Sequence, residues 1–265
     1  MTMPMNLVLV RHGESEGNLA TKLSKKGDDS MFTKAFMKRH SSTWRLTEKG
    51  KSQAHVAGEW IKNTIGDSFE RCYVSEYDRA KETAALLDLP DARWMVTHYL
   101  RERDWGALDV LPFKERRKTF AENLRRKEMD PFYWTPTGGE SISTLCLRLE
   151  KILDTLHRKC GGKDAMLVAH GEVIWGFRYI LERMTNSEVR RLEQSDDPYD
   201  RIYNGQVIHY TRVDPVTGEV RPYLSWVRSI CPDNLTRSNN GWKEIQWKKF
   251  SNAELLREVE LRHNT

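Results

Sequence analysis

The sequence predicts an α/β fold, a three-layer α/β/α arrangement with a mostly parallel central sheet and helices on both faces. Apolar runs of strand length alternate with helix-period stripes along most of the chain, the pattern expected of parallel crossovers. Two of those runs end in a histidine followed by glycine: LVLVRHG at 7–13 and MLVAHG at 166–171. In sheets of this kind ligands gather at the C-terminal strand ends, so both His-Gly pairs are expected at one edge of the sheet. At 265 residues the chain is long for one average domain, yet suits a single α/β domain carrying insertions, read here as 1–265. A hydrophobic share of 38% against a charged share of 31% assigns much of the extra length to polar surface rather than to a second core.

The first strand is placed at 5–10. A polar stretch to Trp44 has no clean period and is read as a basic insertion at about 19–44, with some helix around Met31 to Arg39. Thr47 can cap a helix to about Asn63, because Ala54, Ala57, Gly58 and Ile61 follow the i, i+3, i+4, i+7 stripe. A strand is expected at 71–74, a helix rich in alanine and leucine at 78–87, and a short strand at 92–96. Pro112 suits a helix start, and the charged run to about Glu128 reads as one exposed helix ending before Asp130-Pro131.

Ser141 can cap a helix to about Lys159, whose stripe is Ile142, Leu145, Leu149, Ile152, Leu153 and Leu156, with Gly161-Gly162 as the stop. A strand at 165–169 then leads through His170-Gly171 into a helix to about Arg183. The runs 206–213 and 220–227 flank Asp214-Pro215-Val216-Thr217-Gly218 and predict a hairpin. The remainder, a C-terminal extension at about 228–265, is read as a flexible joint at 238–241 and a terminal helix at 252–262.

Composition narrows the function classes. No window reaches the roughly 18 apolar residues of a membrane span, and Met1 to Met5 is too short and uncharged for a signal peptide, so a cytoplasmic location without membrane contact is expected. Cys72, Cys146, Cys160 and Cys231 form no Cys-x-x-Cys pair, which points to reduced, buried thiols rather than zinc or disulfides. The net charge of +5 comes without a nucleic-acid-binding motif, so nucleic acid is not the expected partner. The basic residues cluster instead, at Lys22, Lys25, Lys26, Lys34, Lys38, Arg39 and His40, and at Lys114, Arg116, Arg117, Lys118, Arg125, Arg126 and Lys127. Each cluster is either a solvated face or a cap that draws an anionic substrate. Trp44, Trp94, Trp105, Trp134 and Trp175 are read as core or pocket wall, and Trp226, Trp242 and Trp247 as cover for a sheet edge or a partner surface. The sequence leaves a homo-oligomer open.

The chemistry follows from residue type. A neutral imidazole is a good nucleophile near pH 7, and its attack on phosphorus gives a phosphohistidine. Phosphoryl transfer requires positive donors around the non-bridging oxygens. Arg11 stands beside His12, and Arg79 follows the second strand, where a guanidinium fork matches phosphate better than an ammonium does. No oxygen-ligand cluster is visible and two arginines supply the charge, so neither a metal nor any other cofactor is expected.

Five motifs in order, RHGESEGN at 11–18, LTEKGKSQA at 46–54, VSEYDRAKETA at 74–84, GGES at 138–141 and LVAHG at 167–171, resemble the histidine phosphatase superfamily, with its phosphoglycerate mutase-like fold, over about residues 5–210. The resemblance implies His12 as the phosphorylated nucleophile, with Arg11, Arg79 and His170 holding the phosphoryl group. It implies that Asn18 donates to a phosphate oxygen, helped by the Gly171 N–H at a helix start. YLRERDWG at 99–106 resembles the segment that carries the general acid in the mutase branch, which makes Glu102 the candidate; Glu14, Glu172 and Asp104 are alternatives. In mutases of the family the segment after the first motif is short and carries a Gly-Trp-x-Asp element. Here 19–44 is longer, basic and lacks it, a departure that favours a metal-independent phosphatase acting on a small phosphorylated substrate. A phosphoglycerate mutase-type transferase, or a phosphate-binding module without catalysis, is the alternative.

Overall fold

The computed structural model describes residues 2–239 and 241–263. Seven strands form one sheet: β1 (Asn6–Arg11), β2 (Arg71–Ser75), β3 (Trp94–Thr97), β4 (Ala165–Ala169), β5 (Val207–Thr211), β6 (Trp226–Ile230) and β7 (Lys243–Glu244). Their spatial order is β3-β2-β4-β1-β5-β6-β7. The β3, β2, β4 and β1 pairings are parallel, as expected for crossovers, whereas β5, β6 and β7 add on antiparallel.

Both faces are covered. Leu7 and Leu9 of β1 and Leu167 of β4 pack with Leu145, Leu149, Ile152 and Leu156 of the helix Ile142–Lys159 and with Phe177 of the helix Gly171–Leu181. Val8 and Val10, with Met166 and Val168, face the other way, toward Ala57 and Ile61 of the helix Glu48–Thr64 and Ala80 and Ala84 of the helix Asp78–Leu86. Successive strand residues point to opposite faces, which is why the apolar runs are continuous.

Several expectations change. A ten-residue helix, Glu16–Lys25, begins inside the first motif and runs into the insertion, ahead of the short helix Lys34–Lys38. Its apolar stripe is invisible because it buries Gly17, Ala20 and Ser24; its signal is the capping box of Ser15 with Asn18. The insertion also has a small core of its own, with Ala20, Phe32, Phe36 and Trp44 buried together. The charged run splits into Phe113–Thr119 and Ala121–Met129, because Phe120 leaves the helical region at ψ 29°. A further helix, Asn186–Gln194, starts at a Thr185–Glu188 capping box that the sequence reading passed over.

The hairpin forms, but its second strand starts at Trp226; Val213 and Val220 make only an isolated bridge. The expected joint at 238–241 is tied down. The Ser238 hydroxyl accepts from Cys231 N at 2.9 Å, and the Asn239 amide oxygen accepts from Ser229 N. Asn240 lies outside the described residues. Arg228 sits over both Trp60 and Trp242, and Trp247 donates to Leu181 O, so the C-terminal tryptophans pack the extension onto the antiparallel half of the sheet. All four cysteines are buried and free. No helix among the described residues is long and apolar enough to cross a membrane.

Candidate active site

Strand register brings the motifs together. Arg11 pairs with Ala169 and Val74 with Val168, so β4 delivers His170 between the ends of β1 and β2. His12 N donates to Ala169 O at 3.0 Å, and the two imidazoles stand edge to face with centroids 5.0 Å apart. Both are fully buried.

The loop after β1 is held backbone to backbone. A Cβ on Gly13 would lie 2.1 Å from Gly50 O, and one on Gly50 would lie 2.0 Å from Glu14 O, so both positions require glycine. Gly13 N donates to the Thr83 hydroxyl at 3.1 Å, and Glu14 N donates to the Gln53 amide oxygen at 2.9 Å. The motifs LTEKGKSQA and VSEYDRAKETA therefore clamp the loop that carries His12.

His12 Nδ1 lies 2.7 Å from Gly13 O, which can only accept, so this nitrogen carries the proton. The lone pair is then on Nε2, which accepts from Arg79 Nε at 3.1 Å. Burial first, then Arg79 and Arg11, holds the His12 pKa well below its usual value and keeps the ring neutral. His170 is depressed likewise by burial, Arg79 and His12; its Nε2 meets the Ser75 hydroxyl at 2.7 Å while its buried Nδ1 has no partner. Arg79 spends NH1 on Ser41 O at 2.6 Å and lies over Tyr77. Arg11 donates through NH1 to Ile202 O at 2.6 Å, and its buried Nε is unpartnered. Gly171 lets that guanidinium approach the helix start, since a Cβ there would stand 3.2 Å from it. A buried guanidinium N–H left unpaired in a native fold is costly, so Arg11 Nε marks a place for an anion.

Glu102 and Asn18 line the same cavity of about 400 Å³ as His12 and Arg79. Burial, reinforced by the Glu172 carboxylate and opposed by Arg79, pushes the Glu102 carboxyl up to about 7. Its segment is framed by GGES: the Glu140 carboxylate accepts from Arg148 Nε at 2.8 Å, and Arg148 donates on to Tyr99 O, Arg101 O and Glu102 O. Asn18 Oδ1 accepts from Ser15 N, the Ser15 hydroxyl and Asn204 Nδ2, which leaves its amide NH₂ as the uncommitted group.

The alternative acids are occupied elsewhere. Glu14 Oε1 accepts from the Thr47 hydroxyl, exposed Asp104 caps the turn at Gly106 N, and Glu172 pairs with Arg103 at 3.1 Å.

A family model, histidine phosphatase superfamily (branch 1), matches residues 7–200. The chain belongs to the histidine phosphatase superfamily. Over 196 residues it is 30% identical to a 2,3-bisphosphoglycerate-dependent phosphoglycerate mutase from Methylobacterium sp. (strain 4-46), covering 71% of this chain and 85% of the relative. Its fold matches an alpha-ribazole phosphatase from Shigella flexneri with a TM-score of 0.61 at 20% identity, over 83% of this chain and 96% of that one. It also matches a mycobacterial glucosyl-3-phosphoglycerate phosphatase with a TM-score of 0.59 at 22% identity, over 78% and 89%.

Around this superfamily site stand residues the sequence reading missed. Asn204 Nδ2 donates to both His12 O and Asn18 Oδ1, Ser75 holds His170, and Asp233 of the extension accepts from Gln53 Nε2 at 2.8 Å. Ser75 lies inside a quoted motif; Asn204 and Asp233 carry no local signal. One nitrogen of each histidine and one Glu102 oxygen also fall within 4.8 Å of one another, a cluster that the expectation of no metal did not foresee. Its chemistry suits an anion better, because the Arg11 and Arg79 cations beside it repel a metal ion.

Proposed function

We propose that this superfamily member is a metal-independent phosphomonoesterase working through a phosphohistidine on His12. The observation that carries the reading is the His12 tautomer: a neutral, buried imidazole whose Nε2 lone pair meets a guanidinium at the cavity. In the first step Nε2 attacks phosphorus, the P–O bond to the alcohol breaks, and the Glu102 proton passes to the leaving oxygen. Arg11, Arg79, His170, the Asn18 amide and the Gly171 N–H hold the three non-bridging oxygens. In the second step ionised Glu102 takes a proton from water, whose oxygen attacks phosphorus. The P–N bond breaks, inorganic phosphate leaves, and both His12 and Glu102 are restored.

Hydrolysis rather than mutase transfer is supported by access. Glu102 borders the His12 cavity and also a second cavity of about 610 Å³ that reaches Arg11, so water has a route once the alcohol departs. The longer, basic 19–44 segment in place of the short mutase segment agrees. The mutase reading is kept by the 30% identity to a mutase.

The test is initial rates of chelator-treated protein over a phosphomonoester panel, beside interconversion of 3- and 2-phosphoglycerate and a His12→Ala control. Hydrolysis that survives chelation and vanishes in the variant supports the proposal. Phosphoglycerate interconversion outpacing hydrolysis overturns it for a mutase, metal-dependent activity overturns the metal-free chemistry, and silence throughout leaves a binding module.

A further inference from the structure

The cavity next to His12 holds more positive charge than a single phosphoryl group can use. Arg11 and Arg79 serve the phosphoryl end, and Arg116 is spent on Leu111 O and Asp109 O, with the Asp109 charge close by. Three further cations line the wall: Lys25 from the helix Glu16–Lys25, Arg117 from Phe113–Thr119 and Lys127 from Ala121–Met129. Among the described residues none of the three side chains forms an ion pair or hydrogen bond. Aromatic rings support them instead: Lys25 and Arg117 approach Phe113 at 6.0 and 5.8 Å, and Lys127 stands 5.2 Å from the centre of Trp105.

Five cations, Lys25, Arg79, Arg116, Arg117 and Lys127, line this concave wall against two carboxylates, Glu102 and Asp109, and that surplus favours anions. The wall is also partly apolar, with Trp105, Phe113 and Leu124 lining the same space and Trp44 and Leu108 buried at its back. The volume of about 400 Å³ lies in the range of sites for ring-bearing ligands, roughly 300–1,000 Å³.

Resting on the phosphomonoesterase reading, we infer that the substrate is an organic bisphosphate with a ring-bearing body. One phosphate is attacked at His12, the ring lies against Trp44, Trp105 and Phe113, and the second phosphate meets Lys25, Arg117 and Lys127. The helix Glu16–Lys25 and the consecutive helices Phe113–Thr119 and Ala121–Met129, far apart in sequence, supply those cations, so the selectivity belongs to the assembled wall.

Binding and turnover are measured separately, so that the two readings can fail separately. Calorimetry on the His12→Ala protein compares adenosine 3′,5′-bisphosphate, adenosine 5′-monophosphate and propane-1,3-diol bisphosphate, while the parent is assayed with p-nitrophenyl phosphate. The expected result is adenosine bisphosphate bound at least about tenfold tighter than either comparison compound, the gain of one charge-assisted contact. Adding Lys127→Gln or Arg117→Gln should reduce the advantage over the monophosphate about fivefold each, at unchanged circular dichroism. Equal affinity for the bisphosphate and monophosphate, or an advantage untouched by both substitutions, overturns the second-phosphate assignment. Equal affinity for the ringless bisphosphate overturns the ring. Absence of p-nitrophenyl phosphate hydrolysis counts against the phosphatase reading alone, since the binding comparison does not depend on turnover.

Discussion

Replacing Glu102 with glutamine should weaken catalysis and strengthen the fold, each in a pH-dependent way. Burial and Glu172 move this carboxyl from an ordinary 4.5 to about 7. At about 1.4 kcal/mol per tenfold change in the proton equilibrium, the ionised form costs the folded protein about 3 kcal/mol. The sign follows from proton binding. Below 4.5 the carboxyl is protonated in both the folded and unfolded chains. Between 4.5 and 7 only the unfolded chain ionises, and the stability this group supplies is lost as pH rises through about 7. Glu102→Gln removes that loss. Because Glu102 keeps some contact with solvent, about half the ceiling is expected, a Tm gain of about 4 °C at pH 8 that disappears at pH 4.5. In the same protein kcat should fall by about 10²- to 10³-fold, and the decline in activity expected of the parent above about pH 7 should vanish. Thermal unfolding at the two pH values and a pH profile of kcat are the measurements. A Tm difference that is the same at pH 4.5 and pH 8 would refute the raised carboxyl, and an unaltered alkaline limb would refute its role as the acid.

Arg79→Lys keeps the charge but loses the Nε contact to His12 and the NH1 contact to Ser41 O; kcat should drop about 10²-fold with KM changing less, read from steady-state rates. Gly50→Ala drives a Cβ to 2.0 Å from Glu14 O, so calorimetry should record a loss of about 3 kcal/mol together with lower kcat. Asp233→Ala frees Gln53, which orients Glu14 N; a threefold to tenfold fall in kcat with a Tm change of only about 2 °C would mark a positioning residue, and an unchanged kcat would exclude it. Exhaustive chelation should leave the hydrolysis rate within error, checked against rates after adding Mg²⁺, Mn²⁺ or Zn²⁺.

Local order carried the sequence reading as far as it went. Apolar runs ending in His12 and His170, the stripe of Ile142 to Leu156, and the caps at Thr47 and Ser141 are short-range signals, and the elements they predict are present. The helix Glu16–Lys25 escaped because its buried face is made of small residues, which leave no apolar period to read.

Long-range contact supplied the rest. The register of β1, β4 and β2 places Ser75, His170 and His12 side by side; the chain itself separates Ser75 from His170 by 95 residues. Asn204 bridges His12 to Asn18, and Asp233 reaches Gln53, through pairings no local pattern encodes. Glu102 was picked out as the candidate acid by the resemblance of its segment, but its shift toward neutrality depends on the desolvation and the Glu172 charge that packing brings to it. Residue type and spacing thus determined which groups could perform phosphoryl chemistry. Their ionisation, orientation and company depend on distances that only the folded chain defines.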